Sequence, residues 1–358
     1  MSKYLYLFLS LLILICGCVS PYYKELSVTF KTPPEIILSN IKNITILPLD
    51  SNYSKKVCNM LISKLIENKY FTVIEREKID EIIKELKLSL TGLMDLNKVV
   101  EVGKLAGVEG FILVSVDNFM TEDFRGVEQF LVPSSDKKSD KVYKIRTPTL
   151  IRKANLSVSF RIISVSTSEI ILSKTFSEKF EKKYYQSPIF EEDIPKSEYL
   201  YITLWLVIMG VNEEPPKTEG EIFNELSEKI TNSIVKLISP YFSKEIVYWE
   251  DLKIKDQDRI IALIKADLTS SALEEMLKLQ KDPSIYKDTK ILARYHYNLG
   301  LIYEILGDLE KAYETYLICV KLDPTDNHIN ALNRIRKRIK DREKLKEISI
   351  GFCLWADN

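Results

Sequence analysis

Histidine is nearly missing from this chain, with 2 among 358 residues, and cysteine is sparse, with 5. His296 and His328, taken with the scattered Cys58, Cys319 and Cys353, show no metal-ligand spacing and no disulfide framework. Buried free thiols are expected, and no metal or cofactor. An excess of either charge is missing too: Lys plus Arg and Asp plus Glu number 51 each, with no long block of one sign. No global field draws such a chain toward nucleic acid. The apolar run Tyr4 to Ile15 falls short of the roughly 20 residues a membrane-crossing helix needs. There is also no nucleophile beside a base, no phosphate-cradling loop and no metal constellation, so no catalytic residue is assigned and the chain does not read as an enzyme.

What is present starts with an address. At 46% hydrophobic and 28% charged, the chain can build more than one domain with a core. Its first twenty residues, "MSKYLYLFLSLLILICGCVS", carry one charge, Lys3, then the apolar run, then small residues around Gly17, which is the layout of a secretory signal. Ile15, Cys16, Gly17 and Cys18 resemble the lipobox of bacterial lipoproteins. The resemblance implies a signal peptide over 1–17 and an acylated Cys18 as first residue of the mature chain. One lipidated residue tethers a soluble body to a membrane. Val19 in place of Asp implies the outer membrane, with the body facing the periplasm and inner-membrane anchoring as the alternative.

Residues 18–40, with Pro21, Pro33 and Pro34, read as a tether. Beyond it "NITILPLD" is a buried strand, and a helix with Val57, Met60, Leu61 and Leu65 on one face ends at Asn68. In "FTVIEREKIDEIIKEL" a short strand leads through Glu75, Arg76 and Glu77 to a helix with Ile79, Ile82, Ile83 and Leu86 inward. The three charges could be chemistry, but no His, Cys or Gly-rich loop accompanies them, and they are taken as a corner and a candidate subunit contact. Val99, Val102 and Leu105 face inward on a further helix that Gly107 stops, and "GFILVSV" is a central strand. "ANLSVSFRIISVSTSEIILSKTF" is a hairpin, and Thr218 with Glu221 forms a capping box. The sum is an α/β mixed sheet with helices on its faces.

That order of motifs, from "NITILPLD" through "FTVIEREKIDEIIKELKLSLTGLMD", "VEVGKLAGVEGFILVSV" and "VSFRIISVSTSEII", resembles the CsgG family of envelope lipoproteins, with a domain over 41–242. The resemblance implies a non-enzymatic scaffold or accessory in envelope assembly or secretion, with assembly into a homo-oligomeric ring. It leaves two alternatives: an outer-membrane secretion channel as in curli export, or an activator of a peptidoglycan synthase. A channel needs hairpin arms with a lipid-facing apolar row. In 119–154 the row Tyr143, Ile145, Thr147, Thr149 is mildly apolar but broken by Pro148; in 173–210 both rows of the first arm carry charges, and "YLYITLWLVIMG" is better placed as core or subunit contact.

"ARYHYNLGLIYEILGDLEKAYETYLICVKLDP" resembles a tetratricopeptide repeat, with Leu299, Gly300, Tyr303, Ala312, Tyr316 and Pro324 at the family's spacing. An all-α domain over 256–347 is expected, with further helices upstream and a polar capping helix downstream. The face around Tyr295, Asn298 and Ile302 is the expected seat of a peptide or protein partner. His296 is expected between the helices, and His328 on an exposed helix surface.

Overall fold

The computed structural model describes residues 24–49, 51–74, 81, 96–136, 138–191 and 193–353, in two units: 35–239, and 24–34 together with 240–353. In chain order the elements begin with β1 (Lys24–Thr32), β2 (Asn43–Pro48), α1 (Asn52–Asn68), β3 (Thr72–Val73), α2 (Leu96–Ala106) and β4 (Gly110–Pro133). Then come β5 (Val142–Ser164), β6 (Ile170–Tyr185), α3 (Tyr199–Ile208) and α4 (Glu219–Ile238). Last are β7 (Tyr241–Trp249), α5 (Gln257–Lys265), α6 (Thr269–Lys278), α7 (Thr289–Leu306), α8 (Leu309–Leu322) and α9 (Asp326–Cys353).

In unit 35–239 the period-2 alternation of the strands sorts their side chains onto two faces. The sheet runs β3-β2-β4-β5-β6, with β2 parallel to β3 and β4, and β4-β5-β6 antiparallel. Ile44, Ile46, Ile112, Val114, Leu156, Val158, Phe160 and Ile162 meet α1 and α4 on one face. Leu47, Phe111, Leu113 and Ile163 meet α2 on the other. Helix α1 starts where the Ser51 hydroxyl accepts from the Ser54 amide (3.2 Å) and stops at Lys69, which is left-handed at φ 60°. Helix α4 starts at a full capping box: the Thr218 amide donates to Glu221 Oε2 (2.7 Å) and the Glu221 amide to Thr218 Oγ1 (3.3 Å).

Two details hold the helices to the sheet. A β-bulge interrupts the β4–β5 register between Val116 and Asn118, and the Val116 amide there donates to Ser54 Oγ at 2.9 Å, joining α1 to the strand. On the opposite face a Cβ at Gly103 would lie 2.5 Å from Val165 Cγ2 and 2.8 Å from the Phe111 ring, so only glycine lets α2 sit this close to the sheet. Glu75, Arg76 and Glu77 lie outside the described residues, as do Cys18 and, apart from the helical and exposed Glu81, the helix expected to follow them.

The second unit corrects the tether. Residues 24–32 form β1, paired antiparallel with β7 from Lys24↔Trp249 to Thr32↔Tyr241. The prolines at 33 and 34 end a strand; they do not mark a loose lead-in. Leu26 and Val28 join Val247 and Trp249 in a core with Ile260, Ile261, Met276, Tyr295 and Ile302 of α5, α6 and α7. The helical unit therefore includes β1 and begins again at 240, and the boundaries 18–40, 41–242 and 256–347 shift accordingly.

Candidate functional site

Helices α7 and α8 form an antiparallel pair whose separation is set by small residues. A Cβ at Gly300 would fall 2.9 Å from the Tyr316 ring, and Ala312 and Tyr316 are fully buried beside Tyr297 and Leu309. Leu299 is buried in the neighbouring core, Tyr303 is half-buried between the two cores, and Pro324 is exposed past the end of α8. Gly307, left-handed at φ 79°, makes the turn between the helices.

A buried carboxylate fastens α9 to this pair. Glu304 accepts from Tyr316 Oη (2.7 Å), from Arg334 Nε (2.9 Å) and Nη2 (2.8 Å), and pairs with Arg338 Nη1 (2.6 Å). Burial, reinforced by the Glu304 charge, pushes the Tyr316 phenol well above its usual value. The Arg338 guanidinium lies 3.7 Å over the Phe30 ring of β1, so the same arginine ties α9 to the two-stranded sheet.

The residues expected to take a partner are used by the fold. Tyr295, Asn298 and Ile302 are all buried. Tyr295 Oη donates to the Met276 carbonyl of α6 (3.3 Å). The Asn298 side-chain amide imitates a strand neighbour, donating to the Glu250 carbonyl (2.7 Å) and accepting from the Glu250 amide (3.0 Å). The face expected from the repeat resemblance is covered by α6 and the end of β7, so it presents nothing to a ligand. His328 is corrected too: it is buried, its Nδ1 donating to the Asp323 carbonyl (2.6 Å) and its Nε2 to Glu250 Oε2 (2.9 Å). Burial alone would lower its pKa, but hydrogen bonds with Cys319, Glu250 and Asp323 outweigh it and raise it to about 10. His296 is half-buried, and burial pushes its imidazole pKa down.

Above the His328–Glu250 pair lies a cavity of about 450 Å3, walled by Tyr248, Arg294, Thr325 and Asn327. Asn327 Nδ2 donates to Glu250 Oε1 (2.7 Å), so both oxygens of that carboxylate are engaged, while Arg294 spends one N–H on the Asp251 carbonyl (3.1 Å). Tyr248 ends a row on the outer face of β7 in which Phe242, Lys244 and Ile246 are also exposed. The row follows from the alternation of "YFSKEIVYW"; the cavity does not, because Glu250, Arg294 and His328 are far apart in sequence. Among the described residues no group of three or more His, Cys, Asp or Glu is placed to hold a metal.

Residues 39–190 match the family described as "Curli production assembly/transport component CsgG", and residues 293–326 match a tetratricopeptide repeat. The chain carries a CsgG domain followed by a tetratricopeptide repeat. No curated protein matches it. Among solved structures it is similar to the C-terminal domain of LpoB from Salmonella enterica (15% identity over 39% of this chain and 83% of that one, TM-score 0.24). It is also similar to lipoprotein GNA1162 from Neisseria meningitidis (14%, 48% and 97%, TM-score 0.26) and to a PelC dodecamer from Paraburkholderia phytofirmans (8%, 60% and 99%, TM-score 0.25). At such TM-scores these likenesses carry nothing on function.

The far end of the unit that holds the CsgG match has its own small core. Strands β4 and β5 run on past β6 as a two-stranded hairpin, and residues 173–210 supply strand β6, a loop and α3, not a second pair of arms. Val132, Tyr143 and Ile145 of the hairpin pack against Ile194, Ile202, Leu206 and Val211. At its edge Glu198, the residue before α3, accepts from the Ser135 amide and from the Ser134 and Ser135 hydroxyls, each at 2.9 Å. Led by the Ser135 backbone bond, these contacts hold the Glu198 carboxyl below its usual range.

Proposed function

We propose that this chain is a lipid-anchored envelope protein that works by holding other proteins, as a scaffold or accessory in envelope assembly or secretion, without catalysis. In this reading Cys18 carries the lipid, and the body faces the periplasm from the outer membrane. What carries the reading is the tetratricopeptide repeat, in a unit whose exposed row Phe242, Ile246 and Tyr248 reaches a cavity holding the Arg294 guanidinium. An extended peptide with apolar residues opposite Ile246 and Tyr248 fits the row, and carboxylates on it fit Lys244 and the Arg294 guanidinium. The partner's seat is thus this outer surface, not the buried Tyr295, Asn298 and Ile302.

The test is a photo-crosslinking residue placed at Ile246 in cells. The expected result is a discrete adduct with a second envelope protein, absent from the Arg294→Glu variant, and a diacylglycerol mass on Cys18 that is lost in Cys18→Ser. No adduct beyond that given by exposed Lys265 would sink the partner site, and an unlipidated Cys18 by mass spectrometry would sink the anchor. The matched family's description as a transport component favours a second reading, an oligomeric secretion channel, which single-channel conductance of the purified chain would distinguish.

A further inference from the structure

Helix α3 is apolar on every side. From Tyr199 to Asn212 the sequence "YLYITLWLVIMGVN" has no charged residue. Its inner side, Ile202 and Leu206, is covered by the hairpin. Outward point Leu200 (72% exposed), Leu204 (54%), Val207 (47%) and Ile208 (82%), with Met209 (60%) just past the helix end. Positions 200, 204, 207 and 208 form one helical stripe. A helix that is hydrophobic all round is stable when both sides are covered, and among the described residues the chain covers one.

Hydrogen-bonding complementarity selects the occupant. Thr203, the polar residue on the stripe, donates its hydroxyl to the Tyr199 carbonyl (2.8 Å) and so presents a methyl group. The carbonyls of Trp205, Leu206 and Val207 at the helix end accept from the amides of Met209 (3.0 Å), Val211 (2.9 Å) and Gly210 (3.0 Å). A protein partner makes about one hydrogen bond per 100–200 Å2 of interface, and beyond the Thr203 oxygen the stripe has no polar side-chain atom to make one; hydrocarbon asks for none. Tyr199, Tyr201 and Trp205, half-buried along the flank, are the residue types that settle at headgroup level. Ten residues span about 15 Å, half of the roughly 30 Å hydrocarbon core, so α3 can lie in one leaflet and cannot cross.

We propose that α3 is a membrane-surface helix, its outer stripe inserted at the acyl–headgroup boundary of a phospholipid bilayer. The proposal does not depend on the partner site of the helical unit. It is tested with the full chain in vesicles of phosphatidylethanolamine and phosphatidylglycerol that carry a photoactivatable diazirine on an acyl chain, mapping adducts by mass spectrometry. Adducts are expected within 199–209, separately from any at the N-terminus around Cys18, which report the anchor on their own. Leu204→Glu with Ile208→Glu, both at exposed positions, should lower the α3 adducts by about tenfold or more while leaving circular dichroism unchanged. Adducts around Cys18 with none on α3 would overturn the proposal. A wild-type chain of twice the mass of the double-glutamate variant, again with α3 unlabelled, would also overturn it, by assigning the stripe to a second copy.

Discussion

At the scale of single residues, the most informative contact is the one His328 makes with two acceptors. A carbonyl at one ring nitrogen and a carboxylate at the other both require N–H donors, so the buried ring is an imidazolium. Its pKa is raised from 6.5 to about 10, so folding binds a proton that the unfolded chain releases more readily. The resulting stability is complete below about pH 6.5 and is lost as pH rises through about 10. Hydrogen-exchange stability of unit 240–353 should therefore fall over that window, and His328→Gln should be less stable at neutral pH and nearly flat across it. Equal slopes for the two proteins would show that the ring is not charged. None of this is visible in the sequence, where His328 reads as a solvent-facing helix residue, because its partner Glu250 lies 78 residues away along the chain, just past the end of β7. Asn298 has the same history: a polar residue on a helix face suggests a ligand, and its ligand is the backbone of Glu250.

For the elements, local signals worked where their causes are local. The Thr218–Glu221 box, the αL stop at Gly107, and the Gly300, Ala312, Tyr316 spacing all act within a few residues or one helix pair, and each has its physical counterpart. Gly300→Val should destabilise the helical unit by about 1–3 kcal/mol, because the new side chain overlaps the Tyr316 ring in a filled core. Gly220→Ala in α4, where a Cβ meets nothing within 4 Å, should be neutral or gain up to about 1 kcal/mol from helix propensity. Urea midpoints measure both, and an unchanged midpoint for Gly300→Val would mean that α7 and α8 do not approach this closely. Strand β1 failed the other way. Leu26, Val28 and Phe30 alternate as a half-buried strand should, but over so short a stretch, with Pro21, Pro33 and Pro34 around it, the alternation reads as a tether.

In the whole molecule, that strand joins residues from both sides of 35–239 into one body. Val28→Asp would place a carboxylate in the core shared by Val247, Trp249, Met276 and Tyr295. It should cost unit 240–353 about 3 kcal/mol or more and leave amide protection within 35–239 unchanged. If protection in 240–353 survives intact, β1 is not part of that core. Periodicity, caps and turn residues are enough to place a mixed sheet with helices on its faces, because each is a relation between near neighbours, and the resemblance to a tetratricopeptide repeat places a helical part after it. Tertiary structure alone decided which apolar faces were taken and by what. It buried Tyr295, Asn298 and Ile302 under α6 and β7, brought Glu250 to His328, and covered one side of α3 while leaving Leu200, Leu204, Val207 and Ile208 bare. Burial depends on where distant segments return, and no local pattern records that.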